Sequence, residues 1–293
     1  REHGRMPRAF LFLPLLSVAL TAAEPVTLKL WPGGAPEPAG FQAQPEEEMK
    51  RVPDDGIRRV AHVSDPEVTF YPAEGATTTV LVCPGGGYNI LAIEHEGAEV
   101  CRFLNQHGYH AALLKYRVPR RDPANPGREP LQDAQRALGL LRNRATELGL
   151  RPERLGILGF SAGGHLAVMT ALHQGERSYP QDAELDAINV RPDFCIPVYP
   201  AYLVGKDDTF TLLPEVKVTE QSPPMCLIHA HDDKGVTSSS ASALLYLEYK
   251  KLGLPCELHI YSQGGHGFGM KRKDQPVQDW AVRVVEWLKV SGW

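Results

Sequence analysis

The run Gly159-Phe160-Ser161-Ala162-Gly163-Gly164 follows the apolar stretch Leu155 to Leu158 and precedes a helix-forming stretch, Leu166 to His173. A serine held between glycines where a strand turns into a helix is the setting of an activated nucleophile. The bend is too tight for flanking side chains, and the helix start aims free backbone amides at charge forming beside Ser161. A serine hydroxyl is a weak nucleophile near neutral pH, so it needs a base, and the base needs an orienting carboxylate. Downstream, Met225 to His229 runs into Ala230-His231-Asp232-Asp233-Lys234-Gly235, and Glu257 to Tyr261 runs into Ser262-Gln263-Gly264-Gly265-His266-Gly267-Phe268-Gly269. His266, between glycines, is the expected base. Asp233 is preferred to Asp232 as the orienting acid, because two residues before Gly235 it suits a turn that directs its carboxylate back into a crevice.

A third segment, Cys83-Pro84-Gly85-Gly86-Gly87-Tyr88, follows the apolar run Thr78 to Cys83. Consecutive glycines let backbone N–H groups approach a ligand closely. The amides of Gly86 and Gly87 with that of Ala162 are expected to form an oxyanion hole. No Gly-Lys-Ser/Thr follows, which excludes a phosphate-binding P-loop. His229 and His231 lack a third ligand at fixed spacing, so a metal site is not expected. His107, His110, His165 and His173 read as structural or surface residues, with His165 placed behind Ser161.

These groups must be delivered by ordered elements. Strands are predicted at Arg59 to Val63, Val68 to Tyr71, Thr78 to Cys83, Tyr109 to Lys115, Leu155 to Leu158, Phe194 to Tyr199, Met225 to His229 and Glu257 to Tyr261. Helices are predicted at Gly97 to Gln106, Leu131 to Leu148 (with Gly149 as its cap), Ala162 to His173, Ser238 to Leu252 and Val277 to Val290. Such alternation is the signature of an α/β fold with a mostly parallel sheet covered by helices on both faces. In such sheets the carboxyl ends of the strands line the ligand crevice, which is where Ser161, Asp233 and His266 all fall.

Of the 293 residues, 43% are hydrophobic and 23% charged, which sets aside disordered, collagenous and membrane-embedded classes. With 31 Lys and Arg against 35 Asp and Glu there is no clustered basic face, and nucleic acid is not an expected partner. Cys83, Cys101, Cys195, Cys226 and Cys256 are odd in number and widely spaced, which predicts free, mostly buried thiols. Arg5 and Arg8 precede the apolar stretch Ala9 to Ala23, which ends in small residues and is too short to span a bilayer. Residues 6–23 therefore read as a secretory signal, predicting a secreted or periplasmic protein whose remainder carries 28 basic against 34 acidic residues. Residues 24–293 are expected to form one catalytic domain. The Pro-, Gly- and Glu-rich stretch from Trp31 to Gly56 reads as a long ordered arm or loop between short strands, and residues 200–222 as a short insertion.

In the order Pro84-Gly-Gly-Gly-Tyr88, Gly159-Phe-Ser-Ala-Gly-Gly-His165, His229-Ala-His-Asp-Asp233 and Gly264-Gly-His-Gly-Phe-Gly269, the chain resembles the α/β-hydrolase fold. Within it the chain resembles the esterase branch related to hormone-sensitive lipase and to bacterial acetylxylan and feruloyl carbohydrate esterases. Leu30-Trp-Pro-Gly-Gly-Ala-Pro36, Leu114-Lys-Tyr-Arg-Val-Pro-Arg-Arg121 and Gln132-Asp133 also look like the secreted carbohydrate-esterase group. Pro84 stands where the lipase branch has histidine, which brings the carbohydrate-esterase group closer. The resemblance implies a serine ester hydrolase that needs neither metal nor organic cofactor and removes short acyl groups, acetyl first and feruloyl second, from plant polysaccharide such as xylan. Tyr88, Tyr199 and Tyr202, near strand ends, are expected to stack on sugar rings. A peptidase of the prolyl-oligopeptidase kind shares the order of the three groups, but 293 residues leave no room for its propeller. A non-catalytic binding module of the same fold commonly lacks a triad member, and none is missing here.

Overall fold

The computed structural model describes residues 24–49, 55–173, 177–179, 185, 187–271 and 274–293. The stretch read as a secretory signal lies outside the described residues. Among those described, no helix is long and apolar enough to cross a membrane.

The chain runs β1 (Val26–Lys29), β2 (Glu47–Met49), β3 (Arg59–Ala61), β4 (Glu67–Tyr71), β5 (Thr79–Cys83), β6 (Ile90–Leu91), α1 (Glu99–Gln106), β7 (His110–Lys115), α2 (Arg128–Asn143), α3 (Ala145–Leu148), β8 (Leu155–Phe160), α4 (Ala162–Leu172), β9 (Cys195–Val198), β10 (Met225–Ala230), α5 (Ser240–Lys251), β11 (Cys256–Tyr261) and α6 (Trp280–Val290). Eight strands form one sheet in the order β1-β4-β7-β5-β8-β9-β10-β11. Only β1 and β4 run antiparallel to their neighbours. From β7 to β11 every pairing is parallel. The central strands β5, β8, β9 and β10 are buried along their whole length, which is why they read as continuous apolar runs without alternation.

Strand order reverses at β5: the chain leaves it toward β7 on one side and returns to β8 on the other. Loops diverge at such a switch point and open a crevice at the strands' carboxyl ends. The loop after β5 and the turn after β8 flank it.

Two expectations change. The run Arg59 to Val63 does not join the main sheet. Its first three residues pair antiparallel with β2 and β6 in a separate three-stranded sheet. The long helix ends at Asn143, and after Arg144 a single further turn, α3, closes on Gly149 at φ +67°, the left-handed residue that caps a helix end without steric cost. The five cysteines are free, four of them buried.

The Trp31 arm is bound to the core through buried charge. Arg117 and Asp133 are both without side-chain exposure, 3.0 Å apart. Asp133 Oδ1 also accepts the Trp31 indole N–H at 2.8 Å, and Asp133 Oδ2 the Arg117 amide at 2.9 Å. Arg117 donates further to the Pro36 and Glu129 carbonyls and to Gln132. The Arg136 guanidinium lies 4.9 Å from the centre of the Trp31 ring while donating to the Leu30 carbonyl.

Candidate active site

Ser161 sits between β8 and α4 at φ 54°, ψ −117°, a conformation that costs a non-glycine residue free energy and persists only where the surroundings impose it. Those surroundings are the neighbouring glycines. A Cβ on Gly159 would meet the Gly163 carbonyl at 1.9 Å, and one on Gly163 would meet the Cys83 carbonyl at 2.1 Å. Backbone packs on backbone here, drawing the end of β5 against the start of α4. The Ser161 amide donates to the Val198 carbonyl at 3.1 Å, and its own carbonyl accepts from His165 and Ala201.

The three groups from three distant loops meet. Ser161 Oγ lies 2.8 Å from His266 Nε2, and His266 Nδ1 lies 2.7 Å from Asp233 Oδ2. An ionised carboxylate only accepts, so Nδ1 carries the proton and donates it, leaving Nε2 as the acceptor for the serine hydroxyl. Asp233 Oδ1 accepts from the Lys234 amide at 2.9 Å and from Thr237 Oγ1 at 2.6 Å. Burial alone would raise the Asp233 carboxyl. Hydrogen bonds from His229 and His266, the charge of His266 and the Thr237 hydroxyl outweigh it, and the group is held well below the usual carboxylate range. Asp232, the alternative acid, instead caps the Gly265 amide at 2.8 Å and steadies the loop that carries His266.

The β5 loop is pinned in a shape that glycine alone tolerates. Gly86 has φ +140°, and a Cβ there would meet the Ile90 carbonyl at 2.1 Å. The Gly86 carbonyl accepts from Asn89 and Ile90, and Arg120 donates to the Gly87 carbonyl. Among the described residues, the amides of Gly86, Gly87 and Ala162 have no acceptor within the chain. Ala162 is the first residue of its helix, where an N–H has no intrahelical partner.

Beside the triad opens a cavity of about 730 Å³ whose wall includes His165, Met169, Leu131, Tyr202, Leu213 and Glu215. It begins one helical turn beyond Ser161, and the Tyr202 hydroxyl lies 3.6 Å from where a Gly87 Cβ would be, so the cavity reaches the glycine loop. Leu213 and Glu215 come from the insertion after Tyr199. That segment folds back on itself through the bridge between Val204 and Leu212 and is tied to the Asp233 loop by the Tyr202 amide on the Val236 carbonyl at 2.9 Å.

Of the three tyrosines expected to face sugar, only Tyr202 retains accessible surface. Tyr88 and Tyr199 have none, and a ring without exposed area cannot stack on a ligand. The Tyr88 hydroxyl is bonded to His165 Nδ1 at 2.8 Å, so Tyr88 backs the cavity. The Tyr199 ring lies 5.0 Å from the His266 ring and supports it from behind. Both sit at positive φ, with Tyr202, a turn requirement that residue type alone does not reveal.

Buried His229 is bonded to Ser242 Oγ at 2.7 Å and to the Thr237 carbonyl at 2.8 Å, so both its ring nitrogens are engaged within the fold. Among the described residues, a group able to hold a cation is Cys226, Glu257 and His259, at the sheet edge toward the amino ends of β10 and β11 and so away from Ser161. Burial raises the Cys226 thiol well above its ordinary value, and Glu257 is already bonded to His259. Sequence reading missed Glu96, a buried carboxylate beneath the glycine loop. The one available signal was a charged residue close after that loop.

The family described as BD-FAE matches residues 70–196. The chain is 31% identical to the crystal structure of an acetyl ester-xyloside bifunctional hydrolase from Caldicellulosiruptor lactoaceticus, with a TM-score of 0.68 over 78% of this chain and 89% of that one. It is 29% identical over 248 residues to an acetylxylan esterase of Xylanibacter ruminicola, covering 76% of this chain and 47% of that protein. It is 28% identical over 205 residues to endo-1,4-beta-xylanase B of Butyrivibrio fibrisolvens, covering 64% of this chain and 32% of that protein. The chain thus spans less than half the length of the two curated relatives. Fold, strand-end site and the likeness to the Caldicellulosiruptor hydrolase converge: the chain belongs to the α/β-hydrolase family of carbohydrate esterases.

Proposed function

We propose that the protein hydrolyses carboxylic esters of acylated plant polysaccharide, acetyl esters of xylan first, through an acyl-enzyme on Ser161. The observation that carries this reading is the unbroken hydrogen-bond relay from Ser161 Oγ through His266 to Asp233. His266 Nε2 accepts the serine proton as Oγ attacks the ester carbonyl, and Asp233 holds the imidazole in its tautomer and stabilises its charged form. The carbonyl oxygen becomes an oxyanion that accepts from the amides of Gly86, Gly87 and Ala162. Each such donor contributes about 3 kcal/mol of transition-state stabilisation. His266 then protonates the leaving sugar hydroxyl. In the second half, water gives its proton to Nε2 and attacks the acyl-serine; the bond from the acyl carbon to Ser161 Oγ then breaks, Oγ takes the proton back from Nε2, and the acid is released.

An acetyl group is far smaller than the 730 Å³ cavity, so in this reading the cavity takes the sugar side, with Tyr202 as its aromatic contact. The same volume admits a feruloyl group as the second acyl class. The order of charged, apolar and small residues in 6–23 supports export, which would bring the enzyme to a polymeric substrate.

The test measures acetate release from acetylated xylan, with nitrophenyl acetate, methyl ferulate and a peptide amide alongside. Acetate release that disappears in Ser161→Ala is expected. Cleavage of the amide alone would refute the ester reading, and equal ester turnover by parent and variant would refute Ser161 as the nucleophile.

A further inference from the structure

Glu96 is a buried carboxylate beside the triad, 4% exposed, that the proposed reaction leaves unused. It lies on the helical turn Glu94–Ala98 that leads into α1. Its Oε2 accepts the Gly85 amide at 2.8 Å, and its Oε1 accepts the Tyr199 hydroxyl at 2.8 Å. That hydroxyl in turn accepts the Gly269 amide at 2.9 Å. Gly85 opens the oxyanion loop, and Gly269 closes the loop that bears His266. The fit is close on both sides: a Cβ on Gly85 would lie 2.6 Å from Glu96 Oε2, and one on Gly269 would lie 2.6 Å from the His95 ring.

The Gly85 amide and the Tyr199 hydroxyl both donate to it, which suits an ionised carboxylate, since a protonated acid would need an acceptor for its own hydrogen. Burial raises the group above the ordinary carboxylate value, opposed by the hydrogen bonds of Tyr199 and Gly85 and by the charges of His266 and Arg59. We propose that Glu96 is a positioning residue of the active site, whose buried charge ties the oxyanion loop to the histidine loop through Tyr199 and stabilises protonated His266 during turnover. The proposal rests on the roles given above to Ser161, Asp233 and His266.

The surrounding charges leave room for this effect. His266 faces Asp233 after β10, Ser161 after β8 and Tyr199 after β9. Glu96 faces Tyr199 and, 3.7 Å away, His95 Nε2. His95 is neutral near pH 7, lowered to about 4 by burial and by the charges of Lys271 and Arg59. Arg59 is itself paired with Asp55 at 2.6 Å. The Glu96 charge is therefore not cancelled by a direct cationic partner.

The deciding measurement is an NMR titration of the His266 imidazole in the parent and in Glu96→Gln. Removing a negative charge from a site of low effective dielectric is expected to lower the His266 value by about half a unit to one unit. The acidic limb of kcat/KM on nitrophenyl acetate should move down with it, and kcat should fall about tenfold with KM nearly constant. A structural prop without electrostatic influence would lower kcat and leave the limb in place. A folded Glu96→Gln whose His266 titrates as in the parent overturns the proposal. Should that variant fail to fold, Tyr199→Phe decides: it keeps the ring behind His266 and cuts the link to Gly269, so kcat is expected to fall about fivefold with KM unchanged, and parental kcat overturns the tie. Because the titration requires no substrate, an inactive parent with a shifted His266 would refute the esterase reading while leaving the role of Glu96 intact.

Discussion

The triad and the arm junction both bury an aspartate against a cationic or basic partner, yet they are finished differently. At the junction Arg117 and Asp133 are sealed, and the guanidinium is also saturated by carbonyls and an amide oxygen. At the triad the acid is 3% exposed but its partner His266 keeps 35% of its side-chain surface, and one imidazole nitrogen points at a hydroxyl. A sealed and saturated pair can only hold; a pair with one open end can pass a proton. Burial of a carboxylate therefore marks neither function nor stability by itself. What the partner does with its remaining donors decides.

If that distinction is right, substitutions in the two regions separate rate from stability. The largest effect is expected for Ser161→Ala, which should reduce ester hydrolysis by roughly 10⁴ to 10⁶ while leaving the melting temperature near that of the parent. Asp233→Asn keeps the shape but favours the wrong imidazole tautomer, and a loss of about 10⁴ in kcat is expected. Steady-state kinetics beside calorimetry reads both.

Asp133→Ala should do the reverse. It removes the buried ionic partner of the Arg117 guanidinium, which the Glu37 carboxylate faces only at 3.9 Å, and losing one partner of a buried pair costs about 3–5 kcal/mol. In a domain of this size the melting temperature should drop by on the order of 10 °C, with turnover per folded molecule unchanged at low temperature. Equal damage to kcat would mean that the arm shapes the crevice as well as the core.

Acid sharpens the same contrast. Burial lowers His165, and burial with nearby cations lowers His95, each to about 4, against about 6.5 for an unfolded histidine. Above pH 6.5 both are neutral in either state and their contribution is fully present. As pH falls from about 6.5 to about 4 the unfolded chain takes up protons that the folded one refuses, so stability declines across that window. Both histidines lie at the crevice side, beside Ser161 and beneath the glycine loop. Melting temperatures between pH 7 and pH 4 should fall, and His165→Gln should flatten the decline.

How much of this was legible beforehand follows from the same physics. Ser161, His266 and the glycine loop could be read because their local backbone demands glycine at fixed offsets, and the buried parallel strands because they are unbroken apolar runs. Asp233 was separable from Asp232 by turn position alone, and the two prove to face different ways. The misreadings concern orientation: Tyr88 and Tyr199 lie near strand ends as expected, but their positive-φ turns direct the rings inward. Glu96 was invisible because its role exists only once Gly85, Tyr199 and Gly269 meet, contacts separated by as many as 103 positions. Arg117 and Asp133 stood out only by resemblance, since nothing local announces that a charged residue will be sealed.

The smallest expected effect probes the boundary between crevice and cavity. Tyr202 is the one expected sugar contact that keeps accessible surface, and its hydroxyl stands beside Gly87. Tyr202→Phe preserves the ring that would stack on a sugar and removes a single hydroxyl, whose net contribution to binding is on the order of 1 kcal/mol. KM for acetylated xylo-oligosaccharides should rise about fivefold, while nitrophenyl acetate, too small to fill the cavity, should be turned over as by the parent. Equal losses on both substrates would instead tie the hydroxyl to the oxyanion loop, moving Tyr202 from the sugar side of the site to its chemical centre.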